Sequence, residues 1–203
     1  MKPGKESNWA ITPEDCLWLH DKLILSKKLG YVCGPAGVGV PEPGNYIVRP
    51  ITNLPGMGRG AEIIHIDEDT DDLPLGHFWC EVFEGRHITV DYVKGEQVFA
   101  AEGTRQYDND PCYRFDKWTA IDDDMPLPDA LSVLKQFDTV NVEYIDQNAI
   151  EVHLEHGGLL GRDHSGQTFK EALVVWDDRG YQTPEGYTFV EAPDYKRKGF
   201  FVK

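Results

Sequence analysis

The chain alternates short apolar runs at strand spacing with turns rich in glycine, proline and acid, and only near its start does the pattern lengthen to a helical period. Thr12-Pro13-Glu14-Asp15 offers an N-cap, a proline for the first helical position and acid for the first turn. Cys16, Leu17, Leu23 and Ile24 follow at helical spacing and Gly30 supplies a stop, so a single helix is predicted there. YVCGPAGVGVPEPG holds too much glycine and proline for regular structure. In YIVRPITNLPGMGRGAEIIHI, residues 46–66, two apolar runs flank a turn with glycines at 56, 58 and 60, the pattern of a hairpin. HFWCEVFEGRHITVDYVKGEQVFAAEG reads as a three-stranded meander turned at Glu84-Gly85 and Lys94-Gly95. Residues 103–128 read as an exposed crossing, with a short helix from Asp129 to Phe137 after it, and a last hairpin joins Tyr187–Glu191 to Gly199–Val202. The class is α+β.

Composition narrows the functions. With 40% apolar residues and 11% aromatics in 203, the chain can bury a real core, and no apolar run approaches the roughly 20 residues of a membrane span. Lys2, Lys5, Glu6, Glu14 and Asp15 interrupt the first 30 residues, which do not read as a secretory signal, so a cytoplasmic protein is expected. A formal charge of −15 repels a phosphate backbone and argues against nucleic acid as a partner. Cys16, Cys33, Cys80 and Cys112 form no CxxC pair, and reduced thiols are expected.

The segment VNVEYIDQNAIEVHLEH, residues 140–156, carries the chemistry. If Asp146, Gln147 and Asn148 form its loop, Val142, Tyr144, Ile150 and Val152 share one face, while Asn141, Glu143, Glu151 and His153 share the other. Glu143 and Glu151 would then stand directly opposed, and like charges in that position repel. A divalent cation relieves the repulsion, since carboxylate oxygens are the hard ligands magnesium takes. A solvated pair on an exposed strand is the alternative.

Four segments in this order resemble the ATP-grasp superfamily. HDKLILSKKLGYVCGP is similar to the family's Asp-Lys helix, with Asp21, Lys22 and Gly30; YIVRPITNLPGMGRGA is similar to its strand and glycine-rich lid, with Arg49 at the lysine position. FWCEVFEGRHITVDYV resembles the adenine-contacting strand, and VEYIDQNAIEVHLEH the paired metal-ligand strands. The chain also resembles short, uncharacterised ATP-grasp-like proteins of bacteriophages, a likeness that brings no activity with it; a viral chain would sit in the host cytoplasm.

The resemblance implies an ATP-grasp-like α+β fold of two small antiparallel-sheet lobes with few helices, one unit over residues 1–203 with lobes near 1–75 and 76–203. It implies ATP and magnesium as cofactors. Lys22 and Arg49 would bind the nucleotide, with Gly56, Gly58 and Gly60 letting the lid backbone approach its phosphates. Glu81 and Phe83 would line the adenine pocket, Glu143 and Glu151 would hold magnesium, and Arg49 and His153 would serve catalysis. The family's Glu-x-Asn is here Glu151-Val152-His153, and Glu155 stands where an arginine is common. Two functions follow: a carboxylate–amine ligase acting through an acyl phosphate on a carboxylate or amine acceptor, or an inactive scaffold whose acidic surface binds or inhibits a protein partner.

Other constellations are weaker. His153, His156, Asp163 and His164 lack metal spacing on one face, DEDTDD at 67–72 fails the calcium-loop pattern, and His20 beside Cys16 is no more than helical adjacency. His87 and Asp91 share a strand face, where they suit either acceptor or phosphate contacts or plain surface polarity.

Overall fold

The predicted opening helix divides at Asp21. In the computed structural model Glu14–His20 is a 3₁₀ helix, and the α-helix α1 starts afresh at Lys22–Lys28. Asp21 is extended, with φ −99° and ψ 103°, and its carboxylate accepts a hydrogen bond from the Ile24 amide at 2.8 Å. It performs for the second helix the capping expected of Thr12 for one long helix. Gly30 takes a φ of 82° just past α1, the stop its position predicted.

The structure describes residue 9 and residues 12–52, 58–107, 111–112, 114–154 and 169–203. The chain divides into two units, one of Met1–Glu84, Pro111–Tyr113 and Ile150–Val152, the other of Gly85–Asp110, Arg114–Ala149 and His153–Lys203.

The first unit holds a four-stranded antiparallel sheet of β1 (Cys33–Pro35), β2 (Gly44–Pro50), β3 (Glu62–Ile66) and β4 (His77–Glu81), in the order β1-β4-β2-β3. β1 corrects the reading of the glycine- and proline-rich stretch as irregular. Cys33, Gly34 and Pro35 pair with Cys80, Trp79 and Phe78, and the glycine is what lets Trp79 lie against the strand. A Cβ at Gly34 would stand 2.6 Å from Trp79 Cζ2. The glycine hairpin forms as expected, with Val48 of β2 opposite Glu62 of β3. Gly56 lies outside the described residues; Gly58 and Gly60 are left-handed, at φ 62° and 84°. Alternation gives the sheet two apolar faces: Val40, Tyr46, Val48, Ile66 and Trp79 cluster on one, and Phe78 and Cys80 pack with Leu23 of α1 on the other.

The second sheet has eight strands: β5 (His87–Val93), β6 (Glu96–Thr104), β7 (Lys117–Ala120), β8 (Thr139–Ile145), β9 (Asn148–His153), β10 (Glu171–Trp176), β11 (Thr188–Asp194) and β12 (Arg197–Val202). Their order is β11-β12-β10-β7-β6-β5-β8-β9. The expected meander is corrected: β4 belongs to the first sheet, so Glu84-Gly85 is a crossing between sheets, and β5 and β6 alone form a hairpin there. At its turn Lys94 and Gly95 both have positive φ, 50° and 84°, which matches the twist of the flanking strands. The final hairpin forms as read, Thr188 opposite Val202 and Glu191 opposite Gly199. The helix after Pro128 is 3₁₀, Asp129–Gln136, and buries Leu131 and Leu134 completely. The core of this unit includes Tyr92, whose hydroxyl donates to the Met125 carbonyl at 2.7 Å and lies 2.8 Å from the Tyr144 hydroxyl.

Candidate functional site

Two carboxylates of the 140–156 hairpin are held by side chains of the chain itself, one by imidazoles and one by an ammonium. Glu143 lies on β8, where Thr89 of β5 is its register partner and His87 is one diagonal step away. His87 Nε2 donates to Glu143 Oε2 at 3.1 Å and His153 Nε2 to Oε1 at 3.4 Å. The His87 ring is fixed in turn by Phe115, with centroids 4.6 Å apart, and by the edge contact of Trp118 at 5.8 Å. Desolvation pushes the Glu143 carboxyl upward, but the hydrogen bonds from His153 and His87 and their charge outweigh it, leaving the group well below the usual carboxylate range. Glu143 is therefore ionised, and hydrogen-bond donors or a cation can face it.

The hairpin's turn is Asp146–Gln147, with Asp146 at φ 49° and its carboxylate accepting from the Arg86 amide at 2.8 Å; Asn148, expected in the loop, belongs to β9, so the three-residue loop that set Glu143 directly against Glu151 does not form. Val142, Tyr144 and Val152 are buried as expected, and Ile150 is half-buried. Asn141, expected on the chemical face, is also buried. Its amide donates to Thr89 Oγ1 at 2.7 Å and Asp91 Oδ1 at 2.8 Å, which ties Asp91 to the pairing of β5 with β8.

In the first unit Lys22 Nζ donates to Glu151 Oε2 at 2.8 Å, with side-chain exposures of 6% and 12%. Lys22 is brought there as the first residue of α1, directly after the Asp21 cap, and its amide is tied to the Ile51 carbonyl at 2.9 Å. Arg49, opposite Phe78 across β2 and β4, is buried with its guanidinium carbon 5.2 Å from the Phe78 ring centroid. Glu81 is bound twice to Val32: its amide donates to the Val32 carbonyl at 2.9 Å and its carboxylate accepts from the Val32 amide at 2.8 Å. Phe83 meets Tyr31 edge-on at 4.6 Å.

No family model matches the chain, and no curated protein does. Among solved structures it is similar to an L-amino acid ligase from Bacillus licheniformis, at TM-score 0.51 and 10% identity, over 92% of this chain and 66% of that one. The chain has an ATP-grasp-like fold. An ATP-grasp superfamily protein from Archaeoglobus fulgidus aligns at TM-score 0.48 and 16% identity, over 91% of this chain and 64% of that one. A D-alanine–D-alanine ligase from Bacillus anthracis complexed with ATP aligns at 0.39 and 16%, over 70% and 57%. The chain thus spans just under two thirds of the length of the first two of these structures.

Within this ATP-grasp-like fold the residues singled out in the sequence fall into two contact groups: Lys22 with Glu151, and Glu143 with His153. His87, noted in the sequence beside Asp91, turns out to be a partner of Glu143 instead; strand parity put it on a face but could not say which acid it meets. Lys22, expected at the nucleotide, is held by a carboxylate expected at the metal. His156, Asp163 and His164 lie outside the described residues.

Magnesium fits the chemistry of Glu143: the carboxylate is ionised, and each oxygen gives one lone pair to an imidazole and keeps another. Among the described residues no group of three or more His, Cys, Asp or Glu is set to hold a metal ion. A magnesium ion that takes one or two carboxylates, water and substrate phosphates does not need such a cage. Among the described residues no helix is long and apolar enough to cross a membrane.

Proposed function

We propose that the chain is an Mg-ATP-binding protein of the ATP-grasp type, acting as a carboxylate–amine ligase. The observation that carries this reading is Glu143, held ionised by two imidazoles on a strand of an ATP-grasp-like fold. Glu143 would hold the metal, while Glu151 is engaged by Lys22. Bound magnesium would neutralise charge on a transferred phosphoryl group. Lys22 and Arg49 would give positive charge to the nucleotide phosphates, and the left-handed backbone at Gly58 and Gly60 would bring amide donors close without side chains in the way. His153 would donate to developing negative charge. The similarity to an L-amino acid ligase supports amino acids as the acceptor class.

One observation favours a second reading. Glu151 already has the Lys22 ammonium as counter-ion, so one of the two metal-binding acids is satisfied without metal. A scaffold without turnover, whose net charge of −15 engages a basic protein surface, would be built this way. A thermal-shift panel of ATP, ADP and GTP with and without magnesium separates the two. The ligase reading expects the melting midpoint to rise with ATP and further with magnesium. A midpoint indifferent to every nucleotide at millimolar concentration contradicts it and leaves the scaffold.

A further inference from the structure

Cys33 and Cys80 stand directly opposite each other on β1 and β4. Opposed residues of an antiparallel pair have Cα atoms about 4.5 or 5.5 Å apart, depending on the type of pair, and a disulfide spans about 4.4–6.8 Å. Opposed side chains also leave the sheet on the same side, and both sulfurs belong to the apolar cluster with Phe78, Leu23 and Ile47. Both are free thiols. In the next row of the same face Pro35, Phe78 and Arg49 stand side by side, so the thiol pair adjoins the buried guanidinium.

We propose that Cys33 and Cys80 are a modification site: a reversible cross-strand disulfide formed when the protein meets a hydroperoxide. The order of events follows exposure. Cys33 is half-buried at the end of an edge strand, whereas Cys80 is 1% exposed; burial raises both thiols, that of Cys80 to about 11. The Cys33 thiolate attacks the peroxide oxygen; the O–O bond breaks, the alcohol or water leaves, and Cys33 becomes a sulfenic acid. The Cys80 sulfur then attacks Cys33 Sγ, forming the S–S bond as hydroxide departs and takes up the Cys80 proton as water. Two thiols lose two electrons and the peroxide gains them. A dithiol reverses the step by exchange.

The bond fastens an edge strand that three register pairs otherwise attach. Pinning β1 also fixes the exit of α1, whose first residue is Lys22. The staple closes a long loop, and such cross-links restrict the unfolded chain most.

The test treats the full chain with hydrogen peroxide, alkylates remaining thiols and maps the products by mass spectrometry. The expected result is one intramolecular link between the Cys33 and Cys80 peptides and a loss of two titratable thiols. Both should be reversed by dithiothreitol, and the oxidised form should melt several degrees higher. Cys33→Ser and Cys80→Ala should each abolish the link and the shift, while Cys112→Ser leaves both. Sulfinic acid at Cys33 with Cys80 still alkylated, a link that uses Cys112 or joins two copies, or no loss of thiols would each overturn the assignment.

Discussion

Lys22 and Glu151 show how closely a stabilising contact and a functional one can coincide. An ion pair this buried is costly to halve, because the partner left behind is a desolvated charge. Glu151→Gln or Lys22→Met should therefore destabilise the first unit by about 3–5 kcal/mol in urea titration, and the Lys22→Met/Glu151→Leu double variant by less than either alone. Equal losses that simply add would show that the two side chains do not act as a pair. His87 acts through another residue. If it orients Glu143, His87→Ala should weaken magnesium-dependent nucleotide affinity about 10–100-fold while metal-free nucleotide binding stays the same. Tyr92 supplies a pH readout. Burial raises its hydroxyl from 10.0 to about 12, with the Tyr144 hydroxyl pulling the other way. A folded value above the unfolded one means the stabilisation is complete below pH 10 and is lost as pH climbs toward 12. Cys80, raised from 9.0 to about 11, titrates across an overlapping range, so the measurement is the difference in urea midpoint between wild type and Tyr92→Phe from pH 9 to 12. That difference should shrink as the pH rises through this window; a constant difference would contradict the assignment.

At the scale of elements, β1 is a strand made possible by one glycine. Gly34→Ala places a methyl group within 2.6 Å of Trp79 Cζ2, and overpacking of this kind costs about 1–3 kcal/mol. The loss should appear in urea titration, with tryptophan fluorescence reporting the displaced ring; an unchanged midpoint would mean that β1 moves away freely. The same strand shows why part of the fold could not be read from sequence. Gly-Pro content signals a loop when the partner strand is unknown, and only the bare face of Gly34 against Trp79 turns it into pairing. The 46–66 hairpin, the Lys94-Gly95 turn and the final hairpin were legible because each is local: its turn chemistry and its alternation lie in one continuous segment. The meander was misread for the converse reason. β4 and β5 adjoin in sequence and look alike, yet they pair in different sheets, a choice made by long-range partners such as β2 and β8. Glu143 and Glu151 were visible as acids on strands, and His153 as a neighbour of Glu143 on one face, but His87 and Lys22 lie 56 and 129 residues from the acids they meet, and no local pattern announces such pairs.

For the whole molecule, the proposed function requires that the fold present Glu143 to a magnesium ion carried with ATP. Magnesium there would bind an ionised carboxylate that, among the described residues, accepts from two imidazoles and lies in no group of three or more metal-ligating side chains. The most direct measurement is titration calorimetry of ATP into the wild type and into Glu143→Gln, each with and without magnesium, at a pH where urea titration shows both proteins folded. The account predicts magnesium-enhanced binding to the wild type and an enhancement at least tenfold smaller in the variant. Equal magnesium dependence in the two proteins, or no binding of ATP to the wild type, would contradict it.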